Sequence, residues 1–178
     1  VEVQLFDFVT LMMDAIVNQA AKFRFMLGGK PCVPVVFRGP QGGGIRLAAQ
    51  HSQSLEAWFI HVPGLVVLAP SNPYDAKGLL ASAIRDDNPV LFFEHKYLYR
   101  RIKGTISPDA APIPLGKARL ARPGRDLSVI TYAAMLRVAL EAAAAAEKDG
   151  ISVEVLDLRT LLPLDEEAIL ATAGKTGK

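Results

Sequence analysis

The pattern of apolar and polar residues over the first half of the chain changes repeatedly between the period of a strand and the period of a helix. Apolar residues alternate with polar ones at 1–5, whereas the run at 8–27 has helical spacing and is stopped by Gly28 and Gly29. The predicted elements are a strand at 1–5, a helix at 8–27, a strand at 33–38, a short helix at 54–60, a strand at 65–69, a helix from Pro73 to about Arg85, and a strand at 90–94.

This order of elements predicts an α/β fold, with a parallel sheet and helices on both of its faces. The segments 33–38 and 65–69 are short and almost continuously apolar, which is typical of strands that are covered on both sides. Ser71, Asn72 and Pro73 form a strong helix start, because proline suits the first helical position. Ligands bind such sheets at the carboxyl ends of the strands, so a polar loop after a strand is a candidate site.

The second half of the chain predicts a linker followed by the beginning of another α/β domain. Residues 103–125 contain four prolines, at 108, 112, 114 and 123, and lack a sustained apolar period. A strand at 127–132, a helix at 133–148 and a strand at 152–157 follow, and Asp165, Glu166 and Glu167 open a last short helix. We therefore predict a first domain at 1–102, a linker at 103–125 and a second domain at 126–178.

Both domains are expected to be incomplete. The chain opens on Val1 inside a predicted strand, and the second domain has only two predicted strands, too few for an independently stable sheet. We expect the N-terminal part of the first domain and the later part of the second domain to lie outside this sequence.

Composition narrows the possible partners. The net charge is +2, from 20 basic and 18 acidic residues, so there is no electrostatic case for binding nucleic acid or an anionic membrane. Charged residues interrupt the apolar run at 8–27, which excludes a membrane span there. Cys32 is the single cysteine, which fits a reducing compartment, and we expect it to be a small buried residue in a cytoplasmic protein, or one of the mitochondrial matrix in a eukaryote.

The segment 38–53, R-G-P-Q-G-G-G-I-R-L-A-A-Q-H-S-Q, is the strongest candidate for chemistry. Its glycines allow the backbone to approach a ligand closely, and His51 can exchange protons near neutral pH. The spacing gives neither a Gly-Lys-Ser/Thr nor a G-x-G-x-x-G motif, so a phosphate-binding loop is not supported. From the residues alone, His51 is either catalytic or a surface hydrogen-bonding residue.

Four blocks of sequence resemble the beta subunit of the thiamin-diphosphate-dependent 2-oxo acid dehydrogenases, the decarboxylating component of those complexes. They are I-V-N-Q-A-A-K at 16–22, R-G-P-Q-G-G-G with A-A-Q-H-S-Q-S-L-E-A-W at 38–58, P-Y-D-A-K-G-L-L with A-I-R-D-D-N-P-V at 73–90, and S-V-E-V-L-D-L-R-T-L at 152–161. The sequence A-A-Q-H-S-Q at 48–53, together with F-F-E-H-K at 92–96, is more similar to the pyruvate and acetoin dehydrogenase branches of the family than to the branched-chain 2-oxo acid branch.

The resemblance implies a pyrimidine-binding domain and a C-terminal domain of the transketolase type, and half of a cofactor site. In this family the beta subunit binds the pyrimidine ring of thiamin diphosphate, while the alpha subunit binds the diphosphate through Mg²⁺. No Gly-Asp-Gly followed by an Asn pair occurs in this sequence. The implied partners are an alpha subunit in a heterotetramer, the lipoyl domain of the acyltransferase component and a small 2-oxo acid, whose acyl group passes to lipoyl-lysine.

The resemblance also assigns residues to the site. Phe8 would pack against the pyrimidine ring, with Phe6 as the alternative, and His51 would stabilise or protonate the intermediate and assist acyl transfer. The cofactor-activating glutamate would precede Val1, and neither Glu2 nor Glu56 matches its position. His61 and His95 are interpreted as structural.

A structural potassium site is implied at a helix end. Its ligands would be the backbone carbonyls of Val35, Ala83 and Ile84 with the side chains of Asp86 and Asn88. The alternative is a polar helix terminus that caps itself. For the whole chain, the alternatives are a branched-chain 2-oxo acid dehydrogenase beta subunit, another transketolase-like enzyme, and a non-catalytic assembly module.

Overall fold

Two β-sheets organise the chain in the computed structural model, which describes residues 1–178. The strands are β1 (Val36–Gln41), β2 (Val66–Leu68), β3 (Val90–His95), β4 (Arg119–Arg122), β5 (Leu127–Thr131), β6 (Val153–Asp157) and β7 (Thr160–Leu162). The first sheet has the order β1-β3-β2-β7 and the second has the order β4-β6-β5. In each sheet an antiparallel strand lies at one edge: β7 pairs with β2, and β4 pairs with β6.

The helical segments connect these strands. Residues 6–26 form one helical stretch of mixed geometry: a 3₁₀-helix (Phe6–Met12), a π-helix (Asp14–Ala20) and α1 (Ala21–Met26). The others are a 3₁₀-turn (Ala49–His51), α2 (Glu56–Ile60), α3 (Pro73–Arg85), α4 (Met135–Ala146) with a 3₁₀-turn after it (Glu147–Asp149), and α5 (Glu166–Thr176). None of these helices has the length and apolar character needed to cross a membrane.

The predicted fold class is confirmed, because parallel strands β1, β3 and β2 carry apolar side chains on both faces of the sheet. One face packs Phe37, Val67 and Leu91 against the helical stretch 6–26 and α2, in a cluster that includes the buried rings of Phe6 and Phe59. The other face packs Val66, Leu68, Val90 and Phe92 against α3 and Ile113. Successive side chains along each strand thus point to opposite faces of the sheet and pack alternately against the two layers of helices.

The N-terminal elements differ from the prediction in their boundaries. Residues 1–5 make only an isolated parallel bridge, Glu2 with Arg38, in which the N–H of Val3 donates to the carbonyl of Arg38 at 2.7 Å. The strand predicted at 33–38 begins at Val36 and continues to Gln41, because the ladder with β3 runs from Val36–Val90 to Gln41–His95. Cys32 is exposed, so the expectation that it is buried was wrong.

The second half of the chain shares a sheet and an apolar core with the first half, which a linker followed by a separate domain would not predict. β4 lies within the predicted linker 103–125, where local sequence gave no strand signal, and it exists through pairing with β6. β7, which was not predicted, crosses to the first sheet and pairs with β2. Ala133 and Leu161 belong to the main apolar cluster of the first half, so the two halves share one core.

Candidate active site

Phe8 and His51 lie side by side, although they are far apart in the sequence. The 3₁₀-helix at the N-terminus carries Phe8, and the 3₁₀-turn Ala49–His51 follows the glycine loop after β1. The two rings contact edge to face, with centroids 5.4 Å apart and planes at 75°. The structure therefore brings together the residues assigned from sequence to cofactor binding and to catalysis.

Phe8 has a free ring surface, which its neighbour lacks. Phe8 is 46% exposed, whereas Phe6 is fully buried and packs against Phe93 at 4.4 Å between ring centroids. Phe8 lines a cleft of about 370 Å³, whose other lining residues are Glu2, Val3, Gln4, Leu5, Leu11 and Met12. A mostly apolar cleft with an exposed aromatic ring is suited to hold a planar heterocycle. Of the two candidate rings, only Phe8 is available to a ligand.

The glycine loop packs closely against side chains that follow β3. Gly42 has φ +86°, and a Cβ there would lie 2.4 Å from Nε2 of His95. Gly44 has φ +91°, and its Cβ would lie 2.7 Å from the ring of Tyr97. The backbone at these glycines thus packs closely against the side chains of His95 and Tyr97, and this contact fixes the path of the loop toward His51.

Asp7 and Lys96 form a buried ion pair next to the candidate site, and sequence reasoning missed both residues. Lys96 Nζ lies 3.6 Å from Oδ2 of Asp7, with side-chain exposures of 4% and 0%. The N–H of Gln53 donates to Oδ1 of Asp7 at 2.9 Å. A charged residue between two phenylalanines, in the run F-D-F, was the available signal, because buried charges are rare unless they are paired.

The other histidines lie outside the Phe8–His51 contact. His61 is exposed and lies at the C-terminal end of α2. His95 lines a second cavity, of about 330 Å³, together with Arg38, Glu94 and Tyr99. Burial and the nearby ammonium group of Lys96 lower the pKa of His95, so its imidazole is neutral near pH 7. The structural roles expected for His61 and His95 stay predictions.

Glu56 is a buried carboxyl group beneath the loop. Burial raises the pKa of Glu56, while its own backbone N–H and the side chain of Gln41 act in the opposite direction. Burial also raises the pKa of Tyr132, and the charge of Glu56 contributes to that shift. Gln41 accepts a hydrogen bond from the N–H of Leu55 at 3.1 Å, so β1 and the start of α2 are joined beside Glu56.

The residues assigned to a potassium site are brought to one corner of the first sheet. The carbonyl of Val35 accepts from the N–H of Val90 at 2.9 Å, and that of Ala83 accepts from the N–H of Asp86 at 3.4 Å. Asp86 Oδ1 accepts from both the backbone and the side chain of Asn88, each at 2.8 Å. Oδ1 of Asn88 in turn accepts from Arg24 at 3.3 Å.

Most of the oxygens at this corner already accept hydrogen bonds within the chain. Ile84, the other residue assigned to this site, lies at the end of α3 with its side chain exposed. Backbone carbonyls carry a second lone pair, so they remain able to coordinate a cation. No cluster of three or more His, Cys, Asp or Glu side chains arranged for a metal ion occurs in the chain.

Two known domain families match this chain. Residues 1–102 match "Transketolase, pyrimidine binding domain", and residues 116–178 match "Transketolase, C-terminal domain".

Similar proteins include beta subunits of several dehydrogenases. The chain is 51% identical over 177 residues to the 2-oxoisovalerate dehydrogenase subunit beta of Bacillus subtilis, covering 99% of this chain and 54% of that protein. It is 51% identical to the acetoin:2,6-dichlorophenolindophenol oxidoreductase subunit beta of Cupriavidus necator, covering 99% and 52%. It is 49% identical to the pyruvate dehydrogenase E1 component subunit beta of Bacillus subtilis, covering 99% and 54%. The chain thus spans about half the length of these relatives.

Solved structures share the fold. A split-gene transketolase described as an inactive beta4 tetramer gives a TM-score of 0.80 with 23% identity, over 98% of this chain and 53% of that one. A transketolase from Pichia stipitis gives a TM-score of 0.68 with 17% identity, over 96% and 25%. At these identities the likeness concerns the architecture of the two sheets and their helices.

Proposed function

This chain belongs to the transketolase family, with a pyrimidine-binding domain at residues 1–102, and from that premise we propose that it is part of the beta subunit of a 2-oxo acid dehydrogenase. The observation that carries the proposal is the contact between the exposed ring of Phe8 and His51 beside an apolar cleft. Relatives that are 49–51% identical are beta subunits of such enzymes, which supports the same assignment.

We propose thiamin diphosphate as the cofactor, with its pyrimidine ring on Phe8. When bound, thiamin diphosphate would supply a nucleophilic carbon for the substrate carbonyl and an electron sink for the carbon–carbon bond that breaks beside it, with release of CO₂ from pyruvate or of acetaldehyde from acetoin. Phe8 orients the ring and excludes water from one of its faces. The His51 imidazole lies at the edge of this site, where it would donate a proton or a hydrogen bond to the substrate oxygen and assist the transfer of the acyl group to lipoyl-lysine.

An alpha subunit completes the site in this proposal and supplies the groups that hold Mg²⁺ and the diphosphate. Leu11 lines the cleft beside Phe8 and is 88% exposed, and Phe25, later in the same helical stretch, is 89% exposed. Burial of such exposed apolar side chains would favour contact with another protein along this helical stretch. We propose a heterotetramer in which the alpha subunit covers this surface, with the lipoyl domain as a transient partner.

The proposed substrate is pyruvate or acetoin. The A-A-Q-H-S-Q block at 48–53 motivates this choice, while identities of 51%, 51% and 49% to branched-chain, acetoin and pyruvate relatives do not separate the branches. We further propose that the C-terminal domain begins before β4, ahead of residue 126, because β4 is an edge strand of the second sheet.

Catalysis is tested with the full-length protein, its alpha subunit, thiamin diphosphate and Mg²⁺, by the reduction of an artificial electron acceptor with pyruvate, 2-oxoisovalerate and acetoin. His51→Ala is expected to lower kcat by about 10²- to 10⁴-fold, the usual contribution of a positioned acid or base. His61→Ala is the matched control and leaves kcat unchanged. Cofactor binding without turnover of any substrate would overturn the dehydrogenase assignment in favour of a transketolase-like enzyme or an assembly module.

Potassium at the corner formed by Val35, Ala83, Ile84, Asp86 and Asn88 is also a proposal, supported by the hard oxygen atoms gathered there. Thermal unfolding in KCl and in LiCl at equal ionic strength tests it. Asp86→Ala should remove the difference between the two salts, and Asp87→Ala, at the exposed neighbouring position, should preserve it. Equal stability of the unsubstituted protein in both salts would contradict the site.

A further inference from the structure

We propose that Asp7 is a positioning residue that holds His51 opposite Phe8, an inference that rests on the proposed function. Asp7 directly precedes Phe8 in the chain and is buried under the loop that carries His51. Its carboxylate is therefore placed to fix two parts of the site with one side chain.

Asp7 holds the loop by its backbone near His51. Oδ1 of Asp7 accepts the N–H of Gln53 at 2.9 Å, and the carbonyl of Gln53 accepts the N–H of Gly42 at 2.8 Å. Both backbone polar groups of Gln53 are thus bonded, one to the 3₁₀-helix that carries Phe8 and the other to the residue after β1. Since His51 lies two positions before Gln53, these bonds restrict the backbone positions from which its ring can reach Phe8.

Lys96 fixes the orientation of Asp7. Its Nζ lies 3.6 Å from Oδ2 of Asp7, and neither atom has a hydrogen-bond partner elsewhere in the chain. The backbone of Lys96 is itself held, because its N–H donates to the carbonyl of Gln41 at 3.0 Å. This contact holds the Asp7 side chain in the orientation that presents Oδ1 to the N–H of Gln53.

The hydrogen bond to Gln53, rather than the charge of the ion pair, is the part that positions His51. Two double variants separate these contributions. Asp7→Asn/Lys96→Met removes both charges and keeps an oxygen acceptor, whereas Asp7→Leu/Lys96→Met removes both charges and the acceptor while keeping the side chain branched at Cγ. Neither variant leaves a buried charge without its partner, and only the first can accept from the Gln53 N–H.

The first measurement is amide hydrogen exchange in the peptide that contains Gln53, made on the full-length protein assembled with its partner. We expect exchange to be at least about 10-fold faster in Asp7→Leu/Lys96→Met than in Asp7→Asn/Lys96→Met, because only the former frees the Gln53 N–H. This readout requires no enzymatic activity. If Asp7→Leu/Lys96→Met does not fold, the double variant Asp7→Ser/Lys96→Met, which shortens the acceptor side chain and also leaves no unpaired charge, takes its place.

The second measurement is kcat and the KM for substrate in the same variants. We expect kcat to fall by about 10- to 100-fold when the acceptor is lost and by less than about 3-fold when it is kept, with little change in KM. Equal kcat or equal exchange in the two double variants would overturn the positioning role. An unsubstituted protein that is inactive with every 2-oxo acid and with acetoin, while the exchange still differs, would instead overturn the proposed function and leave the anchoring of the loop by Asp7 unaffected.

Discussion

At the scale of single residues, Gly42 shows how little freedom the candidate site has. Its φ of +86° is costly for a residue with a Cβ, and that Cβ would meet the His95 imidazole at 2.4–2.7 Å. Gly42→Ala should therefore lower the free energy of unfolding by about 2–4 kcal/mol, from strain and overpacking together.

Chemical denaturation of the full-length protein measures this loss. Gly174→Ala is the matched control: Gly174 lies in α5 with open space around it, so alanine there should be stabilising by about 0.5–1 kcal/mol. A Gly42→Ala protein that is as stable as the unsubstituted one would show that the loop does not pack on His95 in this way.

Glu56 predicts a pH dependence of stability. Burial raises its folded-state pKa above the unfolded value of about 4.3, so the folded state holds the proton more tightly than the unfolded state. Its stabilising contribution is complete below the unfolded pKa and is lost as the pH rises through the folded pKa.

We expect Glu56→Gln to gain stability relative to the unsubstituted protein as the pH is raised from about 4 to 8. Urea unfolding at several pH values measures the difference, and Glu166→Gln, at an exposed position, controls for the loss of one carboxyl group. A constant difference across this range would show that Glu56 ionises alike in both states.

The residues of the site were foreseeable to different degrees. Phe8 and His51 were found through motifs, and the structure places their rings 5.4 Å apart, while their roles remain proposals. Asp7 and Lys96 were missed, because their pairing joins two segments almost ninety residues apart and leaves no local trace except a charge in an apolar run. Cys32 was wrongly expected to be buried, since its position in a loop between α1 and β1 is a tertiary property.

At the scale of elements, helices with strong start residues were predictable from the sequence, whereas short strands that depend on distant partners were not. α3 was expected from Pro73 to about Arg85 and has these bounds, because Asn72 and Pro73 define its start. β4 and β7 were missed, since each short strand exists through partners far along the chain. The mixed 3₁₀, π and α geometry of residues 6–26 also has no signature in apolar periodicity.

The cap of α3 gives a prediction at this scale. Oδ1 of Asn72 accepts the N–H of Asp75 at 2.9 Å, which satisfies a free donor in the first turn. Asn72→Ala should lower the free energy of unfolding by about 1 kcal/mol, measured by denaturant titration. Asn18→Ala, at an exposed position, should change it by less than about 0.5 kcal/mol. Equal effects of the two substitutions would contradict a stabilising cap.

At the scale of the whole molecule, buried charges join the two halves. Arg159 donates to Oδ1 of Asp75 in α3 at 3.2 Å and to the carbonyl of Lys117 at 2.8 Å. Asp157 accepts from Ser71 at 2.5 Å and from Arg119 at 3.1 Å, and burial raises the pKa of Asp157. The bonds to Asp75 and Ser71 join α3 and its N-terminal end to the second half of the chain, while the bond between Arg119 and Asp157 lies within the second sheet, between β4 and β6.

Arg159→Met should lower the free energy of unfolding by about 3 kcal/mol, at the low end for a broken buried pair, because Asp75 would lose its more buried partner and keep Arg119, whose Nε lies 3.4 Å from its Oδ2. The double variant Asp75→Asn/Arg159→Met should recover part of this loss, and a double-mutant cycle in urea measures the coupling. Arg125→Met, at a largely exposed ion pair, is the control and should have little effect. Additive losses at Asp75 and Arg159 would show that the two side chains are not coupled.

The crossing of β7 to the first sheet has a consequence for synthesis of the protein. Val67 of β2 aligns with Leu162 of β7, so the ribosome must make almost a hundred further residues before this edge of the sheet is covered. Until then the nascent chain presents unpaired backbone groups, which favour association with other unfolded chains. The brevity of β2, only Val66–Leu68, limits this hazard by keeping the open edge short while translation continues.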